Sequence, residues 1–277
     1  MIRLEHEPTL KKPVMVVGWA DAGFVGMKAV SYLRTKLGAV SLGEIEPERF
    51  FSVPDSVIKN GVLETLEYPG NQFWYWRRKK LGSDLILFAG YPPAVGHHKL
   101  ASLIIDVADQ FGVNRVYTVG AIQATVAHTE VPKVLTVVNY ANLKKLFAKY
   151  DVDSTTNYQG PTSMNGLILG VAKSHGLEGI SLWGQVPHYI GEVPAPGITL
   201  AVLRILCKML RLSIDFGELE VEADLAKKEV DKLIDSVRKE SPDFDQYLKR
   251  LETGTLTKDE GDKFFREIDD FLKRQRE

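Results

Sequence analysis

The chain has little of three things that often define a protein class: cysteine, excess charge of one sign, and long apolar runs. Cys207 is the single cysteine among 277 residues, which excludes an intrachain disulfide and a cysteine-based zinc cluster. The formal net charge of -1 argues against a general binder of nucleic acid or anionic membranes. The most apolar window, residues 197–210, contains Arg204 and Lys208 and is too short to span a bilayer.

What remains is an ordinary globular composition. Hydrophobic residues make up 44% of the chain and charged residues 26%, and the length suffices for one large domain with an appendage. The first eight residues carry charges where a secretion signal needs an apolar stretch, so we expect a cytoplasmic protein. Cys207 lies in an apolar helical pattern, which favours a buried thiol over a reactive one.

Apolar runs at residues 13–17, 84–88 and 115–119 have the character of strands that are buried on both faces. The first two are each followed by an apolar stripe with helical spacing: Val25, Ala29, Leu33 and Leu37 after the first, and Leu100, Leu103, Ile104, Val107 and Phe111 after the second. This alternation predicts parallel strands with right-handed crossovers and helices on both faces of the sheet.

Between the first two units, residues 57–67 and 72–78 have extended patterns on either side of a turn at residues 68–71. They predict an antiparallel hairpin that extends the sheet. Further along, the patterns predict strands at residues 133–138 and 179–183, and helices at residues 164–173 and 198–212.

The character of the chain changes after residue 212, where strand patterns end. We therefore predict two regions, an α/β domain over residues 1–212 and a charged helical extension over residues 213–277. Ser241-Pro242 has the form of a helix start, and residues 257–260 form a capping box before another apolar stripe. The extension is predicted to hold two or three helices.

Glycines and Asp21 occupy the turn between the first strand and its helix, in the order Gly18-Trp-Ala-Asp-Ala-Gly23-Phe-Val-Gly26. Such turns can bind phosphate through free backbone N–H groups, although the Gly-Lys-Ser/Thr ending of a P-loop is missing. Asp21 can instead accept those N–H groups itself as a helix cap. Capping is the favoured interpretation, because a carboxylate also repels phosphate.

Histidines fall in three predicted turns. His97-His98 cannot easily converge on one metal, and solvent-facing side chains at a helix start are the favoured interpretation. His128, beside Glu130, and His188 follow strands, where ligand sites of open α/β sheets gather. If these turns meet Asp21, they form a polar cleft capable of acid-base chemistry. The favoured alternative is that both imidazoles fix irregular loops through hydrogen bonds to the backbone.

An aromatic and basic segment, residues 73–80, has the composition of a nucleic-acid surface. Strand alternation sends Trp74 and Trp76 to one face and Phe73 and Tyr75 to the other. A packed strand that ends in a basic turn is therefore favoured over a base-stacking platform. No nucleic-acid partner is expected.

Several loop motifs occur together, in a fixed order: Gly18-Trp-Ala-Asp-Ala-Gly23, Gly90-Tyr91-Pro92, Ala127-His128-Thr129 with Val131-Pro132, Asn157-Tyr-Gln-Gly-Pro-Thr-Ser-Met-Asn-Gly166, Pro187-His188-Tyr189 and Pro194-Ala-Pro196. This series resembles the proteasome assembly chaperone two family over about the first three quarters of the chain. In that family an acidic residue often stands where this chain has Tyr91, so no role for a carboxylate is carried over there.

The resemblance implies a three-layer α/β/α sandwich of the phosphorylase/hydrolase-like type with a helical C-terminal extension. It also implies a non-catalytic chaperone that binds proteasome α subunits, which we expect to be a homo-oligomer. We expect no cofactor and no metal. The candidate cleft and motif residues are Trp19, Asp21, Gly23, Gly90, His128, Thr129, Gly160, Pro161, Pro187, His188 and Tyr189.

Two further expectations follow at this stage. Family members that dock on the proteasome often end in a hydrophobic-Tyr-X tail, whereas this sequence ends Arg274-Gln-Arg-Glu277, so we expect no docking through the C-terminus. The alternative function is a small-molecule binder or a hydrolase- or phosphorylase-like enzyme with a strand-end cleft around Asp21, His128 and His188.

Overall fold

The computed structural model describes residues 1–190 and 193–256, and its strands form one large sheet and one small hairpin. The strands are β1 (Ile2–Leu4), β2 (Val14–Trp19), β3 (Val40–Ile45), β4 (Ile58–Lys59), β5 (Val62–Leu63), β6 (Gln72–Trp76), β7 (Leu85–Gly90), β8 (Arg115–Ala124), β9 (Val134–Val138) and β10 (Glu178–Pro187). The helices are α1 (Val25–Leu37), α2 (His97–Gln110), α3 (Met164–Ser174), α4 (Pro196–Leu210), α5 (Gly217–Glu240) and α6 (Pro242–Glu252).

The eight-stranded sheet has the order β1-β3-β6-β7-β2-β8-β10-β9. Its centre, β7-β2-β8-β10, is parallel, and the outer strands are antiparallel. All six residues of β2 and of β7 are buried, which explains their continuous apolar sequences. Helices α1 and α4 cover one face over one apolar core, and α2 and α3 cover the other face over a second. The predicted three-layer α/β/α sandwich is therefore confirmed.

The predicted hairpin between residues 57–67 and 72–78 is wrong. Strand β6 pairs with β7 on one side and with β3, which the sequence patterns did not reveal, on the other. Residues 57–64 instead fold back on themselves, because Asn60 and Gly61 both have positive φ, at 51° and 78°, and form a tight hairpin turn between β4 and β5. An Asn-Gly pair between apolar residues is a strong hairpin signal, and it outweighed the extended pattern around it.

Side-chain burial follows the sequence expectations at two other places. In β6, Phe73 is fully buried in the core beneath α2, whereas Trp74 and Trp76 are partly buried against the opposite core, so this strand is packed on both faces. Cys207 is buried within α4, and burial raises the pKa of its thiol to about 12. The thiol is thus kept in its unreactive protonated form.

Helices α5 and α6 pack onto the sandwich. Leu219 of α5 is fully buried in the core beneath α1 and α4, and two ion pairs of 2.8 Å, Lys28–Glu222 and Lys36–Glu218, join α1 to α5. Ser241 caps α6 through its side chain, as the Ser-Pro signal predicts. The capping box at residues 257–260 and the stripe after it lie outside the described residues. No helix in the described ranges is long and apolar enough to cross a membrane.

Candidate functional site

The turn from β2 into α1 lies unusually close to the sheet. A Cβ atom at Gly18 would come within 2.2 Å of the carbonyl oxygen of Gly26, and one at Gly26 within 2.6 Å of the carbonyl oxygen of Val119. Only glycine allows the start of a helix to rest on the strand ends at such distances. The first family motif therefore has a packing reason that does not depend on a ligand.

Asp21 ties this turn to the neighbouring strand. Its Oδ1 accepts a hydrogen bond from the amide of Gly26, in the first turn of α1, at 2.9 Å, and its Oδ2 accepts one from the amide of Ala121 in β8 at 2.6 Å. Burial raises the pKa of this carboxyl from 3.8 to about 7, although the two amide hydrogen bonds act in the opposite direction. Asp21 thus holds an amide of the first turn of α1, although the N-cap residue of that helix is Phe24, and it links α1 to the sheet.

His128 is held by Tyr189. The Tyr189 hydroxyl accepts a hydrogen bond from the His128 amide at 2.7 Å and lies 2.8 Å from the ring Nδ1. Because this hydroxyl accepts from the amide, it can donate its own proton to Nδ1, and the ring proton is then on Nε2. Nε2 lies 3.5 Å from Oδ1 of Asp231 in α5. Burial lowers the pKa of His128, and the nearby Asp231 opposes this effect. We infer that the neutral ring serves as a link between the turn and α5.

His188 is buried in the same region. Its Nδ1 lies 3.4 Å from the carbonyl oxygen of Ala124, and its Nε2 lies 3.3 Å from the hydroxyl of Tyr247 in α6. Burial lowers the pKa of His188. Both histidines therefore hydrogen-bond backbone groups or tyrosine hydroxyls, which matches the loop-fixing interpretation more closely than that of an open acid-base pair.

Only part of the predicted cleft comes together. His128, His188 and Tyr189 are neighbours. Ala127 and Tyr189 pack in one apolar cluster with residues of α5 and α6: Ile234, Phe244, Tyr247, Leu248 and Leu251. On β8, Asp21 bonds to Ala121, whereas His188 faces Ala124. These two positions are three residues apart, which is about 10 Å along the strand. Asp21 is thus not part of the histidine cluster.

The remaining motif residues have separate environments. Trp19 is buried edge-to-face against Phe88 at 5.3 Å, Gly23 has φ of 62°, and a Cβ at Gly90 would lie 2.0 Å from Oδ1 of Asn71. Pro187 is buried at the end of β10, whereas Thr129, Gly160 and Pro161 are exposed. Tyr158 donates to the carbonyl oxygen of Pro161 at 2.9 Å, which stabilises that exposed turn.

A groove lies beside the histidine cluster, and the sequence patterns did not predict it. It has a volume of about 420 Å³ and lies between the turn at residues 126–133, the loop at residues 194–198, α4 and α5. Its lining includes the apolar residues Ile198, Ala226 and Val230 and the charged residues Glu130, Arg204 and Lys227. One wall is α5, so the groove depends on the packing of the C-terminal helices.

The described residues contain no group of three or more His, Cys, Asp or Glu side chains that could hold a metal ion. His97 and His98 begin α2 and are both exposed. The nearest ring partner of His98 is the Ser102 hydroxyl, 3.4 Å from Nδ1, one helical turn further on.

Removing the Tyr189 hydroxyl tests how strongly it holds the turn. We expect Tyr189→Phe to destabilise the protein by about 1–3 kcal/mol, because two polar groups of His128 lose their partner. Tyr158→Phe is the control, since its hydroxyl is exposed and we expect a loss within about 0.5 kcal/mol. Urea denaturation measures both, and equal losses would contradict the assigned role of Tyr189.

Comparison with known proteins agrees with the motifs. The model of the PAC2 family matches residues 15–234. An uncharacterized protein of Methanocaldococcus jannaschii is 27% identical over 239 residues, 83% of this chain and 84% of the relative. The crystal structure of PbaB, an archaeal proteasome activator from Pyrococcus furiosus, is 26% identical with a TM-score of 0.73 and covers 84% of this chain and 98% of PbaB.

A second solved structure, a proteasome-assembly chaperone homologue from Mycobacterium tuberculosis, is 25% identical with a TM-score of 0.69, covering 79% of this chain and 94% of the homologue. The family match begins in β2 and continues into α5, so it includes the whole parallel core, the turn motifs and one wall of the groove. On these grounds, the chain belongs to the PAC2 family.

Proposed function

We propose that the chain is a non-catalytic protein-binding factor that binds proteasome core-particle α subunits, or related partners, during assembly. The similarity of the chain to the proteasome activator PbaB carries this proposal. The matched region covers 84% of this chain and 98% of PbaB. The similarity to the mycobacterial proteasome-assembly chaperone homologue supports it. We further propose that the protein is a cytoplasmic homo-oligomer in which residues 1–212 form the binding domain and residues 213–277 a helical extension.

The arrangement at the strand ends favours binding over catalysis. The imidazoles of His128 and His188 contact tyrosine hydroxyls beneath α5 and α6. Asp21 holds two backbone amides. Side chains that are engaged in this way support loops, and catalysis would require them to exchange these partners for a substrate.

We assign the partner's contact to the groove between α4 and α5. Its floor is apolar, and its rim carries Arg204, Lys227 and Glu130, which is the common arrangement of protein interfaces. A segment of an α subunit would place apolar side chains on Ile198 and Val230 and polar ones at the rim. In the proposed mechanism the chain covers this segment until the correct neighbouring subunit displaces it.

Filling the groove tests the assignment. We expect Ala226→Trp to weaken binding of the α subunits from the same source at least about tenfold, because the indole would occupy the floor. Lys228→Trp is the matched control, since Lys228 is exposed on the same helix outside the groove. Fluorescence anisotropy with labelled α subunits gives both affinities.

The outcomes test the groove assignment and the proposed function separately. Equal affinity of both variants would remove the groove from the binding site while leaving the function in place. No measurable binding by the unaltered protein would contradict the function itself.

A small-molecule-binding role is the second candidate, because the groove volume of about 420 Å³ lies within the usual range of ligand sites and His128 and Glu130 are among its lining residues. A ligand that binds the native state raises the melting temperature by mass action. A rise with nucleosides, nucleotides or metal ions that Ala226→Trp abolishes would favour this role. Asp21 lies apart from the groove lining and is not assigned to it.

A further inference from the structure

Exposed apolar side chains are concentrated in one segment, residues 52–67, which we call the arm. It carries β4, β5 and the Asn60-Gly61 turn between them. Six large apolar residues in the arm are exposed: Val53, Val57, Ile58, Val62, Leu63 and Leu66. Their exposed fractions reach 76% at Val53 and 67% at Ile58 and Val62. A monomeric protein seldom leaves such a patch uncovered.

The arm makes its hydrogen bonds to itself. Ile58 pairs with Leu63 and Lys59 with Val62, and the amide of Glu64 donates to the carbonyl oxygen of Val57 at 2.9 Å. Within the described ranges, none of the hydrogen bonds or ion pairs found for residues 52–67 reaches the sandwich. A two-stranded ribbon on its own is marginally stable in water, and the described residues supply no hydrogen-bonded cover for the arm.

One face of the arm is apolar, and the other mixes apolar and charged residues. Ile58 and Leu63 lie on the apolar face, and Val57 and Val62 lie on the other face with Lys59 and Glu64, because successive strand residues alternate. Lys59 and Glu64 form an ion pair of 2.9 Å inside the arm. Nothing in this distribution favours a strongly charged partner such as nucleic acid.

The apolar surface continues at the root of the arm. The carbonyl oxygen of Phe50 accepts hydrogen bonds from the amides of Ala94 at 2.9 Å and Val95 at 3.4 Å, which fixes the root against the loop after β7. In that loop Tyr91 and Val95 are exposed by 40% and 61%. The loop that holds the root of the arm therefore presents further exposed apolar side chains.

We propose that the arm is the self-association surface of this protein and that its occupant is the arm of a second copy. Identical apolar faces, here the face of Ile58 and Leu63, can pack on each other across a twofold axis, because an isologous contact is self-complementary. The arm's six exposed side chains offer roughly 400 Å² of apolar surface per copy. Its backbone and the root bring this towards the roughly 800 Å² per partner of a stable interface.

This inference rests on the self-association part of the proposed function and not on binding to α subunits. The double substitution Ile58→Lys and Leu63→Glu tests it. These residues are cross-strand partners, so the new side chains form an ion pair that retains the hairpin, while the apolar face is lost. The control is Val221→Glu with Leu225→Lys, which makes a helical i,i+4 ion pair from two exposed apolar residues of α5.

Light scattering after size exclusion gives the mass of each full-length variant at one concentration. We expect the unaltered protein and the α5 control to be oligomers of the same mass, and the arm variant to have half that mass or less. The circular dichroism spectra of the folded proteins should be the same for all three, because the arm makes no hydrogen bond or ion pair to the described part of the sandwich.

Three results would overturn the proposal: an unaltered protein that is monomeric, an arm variant with unchanged mass, or an arm variant that lacks the circular dichroism spectrum of the unaltered protein. An arm variant of unchanged mass that no longer binds α subunits would assign the arm to that partner instead. Loss of the oligomer with α-subunit binding retained would support the proposal. The proposed function fails only if the unaltered protein does not bind α subunits.

Discussion

Replacing Gly18 with alanine is expected to destabilise the protein by about 3 kcal/mol or more. The added methyl group would lie 2.2 Å from the carbonyl oxygen of Gly26 and 2.7 Å from a methyl group of Val30. Overpacking in a dense core commonly destabilises a protein by about 1–3 kcal/mol. We expect a value at the upper end of this range, because a backbone atom cannot move aside as a side chain can by changing its rotamer. The helix start and its turn would have to move away from the sheet.

Gly170→Ala is the matched control for this substitution. Gly170 is an exposed position inside α3, and a Cβ there meets no atom within 4 Å. Alanine in a helix interior stabilises by roughly 0.5–1 kcal/mol relative to glycine. Guanidinium denaturation of both variants is the measurement, and a Gly18→Ala protein as stable as the unaltered one would show that the turn is not packed as described.

The second large effect is a loss of stability between about pH 4 and pH 7 caused by Asp21. Its pKa in the folded protein is about 7, above the ordinary value of 3.8, so the folded state holds a proton that the unfolded state has released. The associated stability is complete below pH 3.8 and is lost as the pH rises towards 7. A difference of about 3 pKa units corresponds to about 4 kcal/mol.

Asp21→Asn removes this proton and should flatten the pH profile in that range. The slope of the unfolding free energy against pH is the readout, because the amide also weakens the bonds to Gly26 and Ala121 at every pH. Parallel profiles for the variant and the unaltered protein would contradict the raised pKa.

His128 and His188 contribute with the opposite sign. Burial lowers the pKa of both rings below the ordinary value of 6.5, so their contribution to stability is present above that pH and is lost as the pH falls below it. The difference between the two profiles cancels the histidine contribution, since both proteins contain these rings. It therefore isolates the titration of Asp21.

The sequence predicted the buried parallel strands because continuous apolar runs such as that of β2 have few alternatives in an α/β chain. It missed β3, whose sequence Val40-Ser-Leu-Gly-Glu-Ile45 mixes polar and apolar residues and has an irregular register at Gly43. It also took the arm for a sheet strand, although Asn60-Gly61 closes the arm on itself. Pairing partners depend on contacts between distant segments, which local periodicity does not record.

The sequence likewise predicted only part of the candidate site. Turns after parallel strands gather at one edge of the sheet, which placed His128 and His188 at that edge but left open whether they meet. What the sequence could not supply was the position of α5 and α6, which cover these histidines and make one wall of the groove. Asp21 points instead to the amides of α1 and β8, a choice set by the close approach of Gly18 and Gly26.

Native mass spectrometry of the protein with proteasome α and β subunits of its own source tests the central claim most directly. The account predicts a defined complex with α subunits that disappears when β subunits are added and the core particle forms. A homo-oligomer that ignores the α subunits under conditions where they assemble with β subunits would contradict it.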